Sequence, residues 1–323
     1  MMRAISAALA LSVITFIATA NSAASAEPLK VVASFSIIGD FAKNVGGDRV
    51  EVTTLVGPDG DAHVYEPKPA DAAAMAKADV VLVNGLHFEG FLTRLVNASA
   101  TKAAIVELTR GVASIEFGPE FAEEPEGAAA GHEDHEHEEN HQGHDHGPTD
   151  PHAFQSVANA NIYVQNIADT FCAADAEDCE TYRANADAYT AKLAALDAEI
   201  RQTIASIPKA RRVVITSHDA FGYFEHEYGL RFLAPQGLST DAEPSAADVA
   251  KLVEQVRQHS AAAIFVENIS NPRLIEQIAN ETGVKVGGTL YSDALSQPDG
   301  PAATYIDMMK NNIGEIKGAI LGS

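Results

Sequence analysis

The chain has 323 residues, of which 46% are hydrophobic and 21% are charged, so it can bury a substantial core and is not a disordered chain. A chain of this length is expected to form about two domains. Its 45 Asp and Glu residues against 22 Lys and Arg residues give a net charge of −23, which argues against nucleic acid or an anionic membrane surface as the main partner.

The first 26 residues have the pattern of a secretory signal peptide. Arg3 supplies a positive charge, residues 7–20 are apolar but too short to span a membrane, and Ala24-Ser25-Ala26 is a small-residue cleavage signal. An uncleaved anchor is the alternative, which the short apolar segment disfavours. No cysteine lies near the cleavage signal to carry a lipid. The pattern predicts a secreted protein that begins at Glu27 and acts in the periplasm.

Short apolar runs alternate with helix-forming sequence in the first part of the mature chain. The runs predict strands at residues 29–33, 50–56, 80–83 and 104–108, and the Ala-rich stretch 71–77 predicts a helix. Strands that alternate with helices are typical of parallel βα units.

Residues 119–147 interrupt this pattern. They interleave acidic residues with six of the twelve histidines and contain few apolar side chains, so we expect a mobile loop that buries no core. These histidines are His132, His135, His137, His141, His144 and His146.

One long helix is predicted over residues 180–207, because apolar side chains recur there three or four positions apart up to Pro208. It divides the chain into a first lobe at residues 27–178, a linking helix at 179–207 and a second lobe at 208–323.

The βα pattern returns after the long helix. Ser245 with Asp248 forms a capping box, and Asn271 before Pro272 marks another helix start. The predicted strands lie at residues 213–216, 230–233, 262–266 and 284–286.

Four metal-binding side chains follow strands or lie in loops: His63, His152, His218 and Asp293. Two precede the long helix and two follow it, so they could meet across a cleft between the lobes. Loops at the carboxyl ends of parallel strands are where α/β proteins place ligands, and three imidazoles with one carboxylate suit Zn²⁺. Each residue alone is a weak indication of a metal site, and the spacing in the sequence does not show that the four residues form one site.

A family resemblance assigns these four positions to one metal site. The chain resembles the periplasmic solute-binding proteins of zinc and manganese ABC importers across nearly its whole mature length. In that family the fold is two α/β lobes with mainly parallel sheets, joined by one long rigid helix, with metal in the cleft, and the metal ligands fall on His63, His152, His218 and Asp293. The matching segments are residues 57–67, 150–154, 216–224, 235–240, 265–268 and 291–296.

The resemblance implies a high-affinity Zn²⁺ receptor of the zinc-uptake type that delivers zinc to an ABC permease in the inner membrane and performs no catalysis. His218 carries the choice of metal, since manganese members typically have Glu there and an imidazole favours zinc over the harder Mn²⁺. Residues 235–240 are shared with manganese-type relatives, so a manganese or iron receptor of the same family is the alternative. We expect a monomer, and a periplasmic zinc chaperone is a further candidate partner.

Two alternatives come from other functional classes. A zinc hydrolase would need an open coordination position and a general base, whereas Asp293 fills the fourth position and the sequence has no His-Glu-x-x-His motif. A surface adhesin is the other alternative, and no sequence feature favours it.

Several other residues are candidates for supporting roles. Glu66 and Glu267 are candidates to orient metal-bound imidazoles. His87 follows a strand end and is the strongest of the remaining histidines. In an oxidising periplasm, we expect Cys172 and Cys179 to form a disulfide around a short loop.

The His-rich segment has two interpretations. It is either a solvated insertion with incidental metal affinity or a loop that collects or senses zinc and feeds the cleft. Its His-x-His pairs can each offer two imidazoles. Ordering a flexible loop costs entropy, so we expect it to bind zinc more weakly than the cleft does.

Overall fold

The computed structural model describes residues 27–116 and 149–322. The predicted signal peptide and the His-rich segment at 119–147 lie outside the described residues. Two parallel sheets of four strands each organise the structure, and each sheet has helices packed against it. This confirms the predicted fold class of two α/β lobes.

The first sheet has the strand order β2-β1-β3-β4, and every neighbouring pair is parallel. Its two central strands are almost entirely buried, as expected for parallel strands covered on both faces. The strands are β1 (Leu29–Phe35), β2 (Val50–Val56), β3 (Val80–Val83) and β4 (Ala104–Glu107). All four lie where the sequence predicts them, within two residues at either end.

Four helices accompany the first sheet. Ser156 precedes the last of them, and its hydroxyl accepts a hydrogen bond from the backbone N–H of Asn159 and caps the helix. The helices are α1 (Ser36–Gly46), α2 (Pro69–Lys77), α3 (Leu92–Ser99) and α4 (Val157–Ala174).

The long helix α5 spans Cys179–Ala205. It packs against α1 and α4 from the first part of the chain and against helices that follow it, so it contacts both halves of the molecule. Its 27 residues give a length of about 40 Å. The lobe boundaries at residues 178 and 207 stay a prediction. The buried side chains are those that the helical periodicity predicts: Tyr182, Ala186, Tyr189, Leu193, Leu196, Ile200 and Ile204.

The second sheet repeats the order of the first. Its strands run β6-β5-β7-β8 and are all parallel. They are β5 (Val213–Ile215), β6 (Arg231–Leu233), β7 (Ala263–Glu267) and β8 (Val286–Leu290). The helices are α6 (Gly222–Tyr228), α7 (Ala246–His259), α8 (Pro272–Thr282) and α9 (Tyr305–Leu321).

Local signals in this half have mixed outcomes. The Ser245–Asp248 capping box and the Asn271 cap are confirmed. The last strand is not at residues 284–286, because β8 begins where that prediction ends. A Cβ at Gly287 would lie 2.5 Å from the Phe265 ring, so close packing requires a glycine there and interrupts the apolar pattern.

The buried apolar residues form one large cluster, which includes residues of both sheets and of α5, and a smaller cluster around β5, α7 and α8. Within the described parts of the chain, no helix combines the length and the apolar character needed to cross a membrane.

Candidate metal centre

The four predicted ligands lie in connecting segments beyond the strands of the two sheets. His63 lies between β2 and α2, His152 lies immediately before the short 3₁₀ turn that precedes α4, and His218 and Asp293 each lie three residues beyond a strand, β5 and β8 respectively. The fold brings them together: one ligand atom from each residue lies within 4.8 Å of all the others.

Burial and distances in this cluster fit a metal ion. The side chains of His152, His218 and Asp293 are fully buried, and that of His63 is 4% exposed. Asp293 Oδ2 lies 3.2 Å from His63 Nε2 and 3.1 Å from His218 Nε2, and Asp293 Oδ1 lies 3.7 Å from His152 Nε2. Zinc bonds of about 2.0–2.1 Å place tetrahedral donors about 3.3 Å apart, so these donors are near the required spacing.

Two donor atoms of the cluster are buried without a hydrogen-bond partner among the described residues. They are Nε2 of His152 and Oδ1 of Asp293. Because an unpaired buried polar atom costs free energy, these two atoms are suited to a bound cation that satisfies both.

Two buried carboxylates hold two of the imidazoles. Asp150 Oδ1 accepts hydrogen bonds from the backbone N–H of His152 at 2.9 Å and from its Nδ1 at 2.8 Å. Glu267 Oε2 lies 2.5 Å from His218 Nδ1 as an ion pair, while its Oε1 accepts from the backbone N–H groups of Ser217 and His218. With Nδ1 held in this way, Nε2 of each ring faces the cluster.

The structure corrects the expectation for Glu66. This side chain is exposed, and in the described residues no hydrogen bond joins it to a ligand imidazole. Asp150, which the sequence analysis did not single out, occupies an orienting position of the kind expected for Glu66. The signal that could have found it is its place two residues before His152, within hydrogen-bond reach of that residue's backbone.

Opposite charges shift the pKa values of the buried groups. Burial alone would raise the pKa of Asp293, but the imidazoles of His152 and His218 outweigh it and hold that pKa well below its usual value. Burial alone would lower the pKa of His218, but the carboxylates of Glu267 and Asp293 hold it well above its usual value. The site therefore keeps an ionised carboxylate in a buried, water-poor position.

Phe88 forms an apolar wall of the site that the sequence analysis missed. Its ring centroid lies 4.8 Å from that of His63 and 5.6 Å from that of His152. The backbone reaches Phe88 through a left-handed turn in which Leu86 and His87 both have positive φ. His87 itself is exposed and is not one of the four clustered groups.

The predicted disulfide between Cys172 and Cys179 is confirmed, and it connects the end of α4 to the start of α5. The six histidines of the His-rich segment lie outside the described residues.

The comparison with protein families shows the family to which the chain belongs. The sequence model for the zinc-uptake complex component A periplasmic family, ZnuA, matches residues 31–319. The chain belongs to this family. Such proteins are the substrate-binding components of ABC metal importers, so the chain is a metal-binding receptor with an ABC permease as its partner, and it is not an enzyme.

Relatives of this receptor are named for different metals. The manganese-binding lipoprotein MntA of Halalkalibacterium halodurans is 33% identical over 287 residues, which cover 89% of this chain and 87% of that protein. The iron-binding protein YfeA of Yersinia pestis is 29% identical and covers 92% and 88%. The structure of the periplasmic zinc-binding protein TroA from Treponema pallidum matches with a TM-score of 0.78 at 28% identity, covering 91% and 99%.

Proposed function

We propose that this receptor binds one Zn²⁺ ion in the cleft through His63, His152, His218 and Asp293 and delivers it to its permease. The observation that carries this proposal is the donor set, in which three imidazoles and one carboxylate converge on one buried point. Four donors of this kind, without thiolate, are typical of tetrahedral zinc.

His218 supports zinc over manganese. It is fully buried, its Nε2 faces Asp293, and Glu267 contacts its other nitrogen, so the imidazole is fixed in a ligating orientation. Mn²⁺ prefers oxygen donors, and this site offers oxygen from Asp293 alone among its four residues. The relatives named for manganese and iron keep a manganese or iron receptor as the alternative.

The receptor is proposed to act in the periplasm as a monomer. A periplasmic chaperone that loads it with zinc is a further candidate partner. Release at the permease must separate ligands that come from both halves of the chain, since His63 and His152 precede α5 while His218 and Asp293 follow it.

The histidines between residues 132 and 146 are proposed to bind additional zinc more weakly. They alternate with acidic residues and include two His-x-His pairs, but no preformed cleft is needed for them. Deleting residues 119–147 is then expected to remove the weak equivalents from a zinc titration and to retain the tight first equivalent.

The zinc assignment is tested by the variant His218→Glu. Replacing the imidazole with a carboxylate is expected to lower the ratio of Zn²⁺ affinity to Mn²⁺ affinity by about tenfold or more, because it adds a hard oxygen donor. The ratio is measured by competition of the two ions for metal-free protein. The exposed His226 on α6 offers a matched control, His226→Glu. An unchanged ratio in His218→Glu would show that this residue does not set the metal.

A further inference from the structure

The segment that carries His63 is fastened to the other half of the molecule at two places. At the first, the backbone N–H of Asp59 donates to the carbonyl of Leu295 at 2.8 Å, and Asn268 Nδ2 donates to Asp59 Oδ1 at 3.1 Å. Both partners come from segments that follow strands of the second sheet. The second fastening involves Asp61, which lies two residues before the ligand.

Asp61 uses its two carboxylate oxygens for two different tasks. Oδ1 accepts the backbone N–H of His63 at 2.9 Å. Oδ2 accepts the hydroxyl of Thr240 at 2.5 Å. One side chain therefore connects the backbone of a metal ligand to a residue that is 179 positions away in the sequence.

The segment that carries Thr240 is in turn tied to the backbone around His218. Gly237 accepts a hydrogen bond from the N–H of Asp219 at 3.1 Å, and the N–H of Gln236 donates to Ser217 at 3.4 Å. These two bonds lie on either side of His218 in the sequence. The Asp61–Thr240 hydrogen bond thus joins the backbone at one imidazole ligand to the backbone at another.

This pair also borders open space beside the site. Asp61 and Thr240 line a cavity of about 360 Å³, and Ser217, the neighbour of His218, lines it as well. Of the four clustered side chains, only His63 has any exposure. Asp61 therefore holds the segment that carries the one ligand side chain with any exposure.

We propose that the Asp61–Thr240 hydrogen bond is a latch that holds His63 in the closed cleft and slows the release of bound metal. Asp61 is a positioning residue, because both of its oxygens are committed to hydrogen bonds and it is not among the four clustered ligands. The inference rests on the proposed zinc site, because a latch on release requires an ion held by His63.

The test measures the rate at which the full chain, loaded with one equivalent of Zn²⁺, loses its ion to an excess of a chromogenic chelator. Thr240→Val keeps the branched shape but removes the hydroxyl, and it is expected to speed release by about tenfold to a hundredfold, the usual effect of losing a hydrogen bond to a charged group. Thr240→Ser is the conservative variant and is expected to restore slow release. Ser239→Ala is the matched control, because that hydroxyl accepts from the N–H of Asp241 rather than reaching Asp61.

A double-mutant cycle separates a latch from a general structural role. In an Asp61→Ala background, Thr240→Val is expected to add no further acceleration, because its partner is already absent. If Thr240→Val loses zinc at the wild-type rate, or if it only lowers the thermal midpoint of the metal-free protein, the latch is overturned.

The failure of the latch and the failure of the zinc site give different results. If Thr240→Val binds one tight equivalent of zinc and releases it at the wild-type rate, the latch alone is refuted. If the wild-type protein binds no stoichiometric zinc, the proposed site and the latch are refuted together.

Discussion

Buried carboxylates behind the imidazoles hold two of the four ligands in place. Asp150 and Glu267 each contact one ligand imidazole through Nδ1 and also accept that ligand's backbone N–H. Each carboxylate thereby fixes both the ring and the chain that carries it. Metal affinity is expected to depend on these residues, although neither is one of the four clustered ligands.

Replacing Asp150 with alanine is predicted to weaken zinc binding by about tenfold to a hundredfold, because His152 loses the partner of its Nδ1 and of its backbone N–H. The affinity is measured by chelator competition. Glu66→Ala is the control: it removes an exposed carboxylate and is expected to leave the affinity unchanged. Equal effects of the two substitutions would contradict the role assigned to Asp150.

Glu225 on α6 supplies a prediction about stability and pH. Burial raises the pKa of this carboxyl from 4.5 to about 7, with Asp219 adding to the effect and the backbone N–H of Phe232 opposing it. The folded state therefore holds a proton that the unfolded chain has already lost between about pH 4.5 and pH 7. The contribution of Glu225 to stability is thus greatest below pH 4.5 and is lost as the pH rises towards 7.

Glu225→Gln keeps an oxygen for the N–H of Phe232 and carries no charge at any pH. The difference in unfolding free energy between this variant and wild type is expected to increase in favour of the variant by about 1–3 kcal/mol as the pH rises from 4.5 to 7.5. Urea unfolding of metal-free protein at several pH values measures it. The exposed Glu276→Gln on α8 serves as the control. A stability difference that does not change with pH would show that Glu225 is not responsible.

At the scale of helices and strands, the sequence predicts elements well where one physical signal dominates. The two central strands of the first sheet are buried apolar runs, and α5 has a regular apolar face, so these elements were predictable. The last strand was misplaced because Gly287 and Gly288 stand where apolar residues would be expected. Helix α9 was not predicted, although Thr304 and Asp307 form a cap at its start.

The disulfide between α4 and α5 is predicted to stabilise the protein mainly by restricting the unfolded chain. Replacing both Cys172 and Cys179 with serine is expected to lower the unfolding free energy by about 2–3 kcal/mol, since the closed loop is short. Urea unfolding of oxidised wild type and of the double variant measures the loss. If the double variant and oxidised wild type have the same unfolding free energy, this prediction is contradicted.

At the scale of the whole molecule, the site exists because two sheets with the same strand order present their ligand-bearing segments to one point. His63 and Asp293 are 230 positions apart in the sequence, yet their side chains lie 3.2 Å apart. No local pattern joins such positions, so the sequence reached all four ligands only through the family resemblance. Phe88 was missed because its role depends on packing between distant segments, whereas the role of Asp150 is local, two residues before His152.

The proposed ligand set is tested most directly by anomalous diffraction at the zinc edge, on crystals grown with one equivalent of Zn²⁺. The expected result is a single strong peak bonded to Nε2 of His63, His152 and His218 and to a carboxylate oxygen of Asp293, at about 2.0–2.2 Å. A principal peak at the histidines of residues 132–146, or one that lacks these four ligands, would contradict the proposed site.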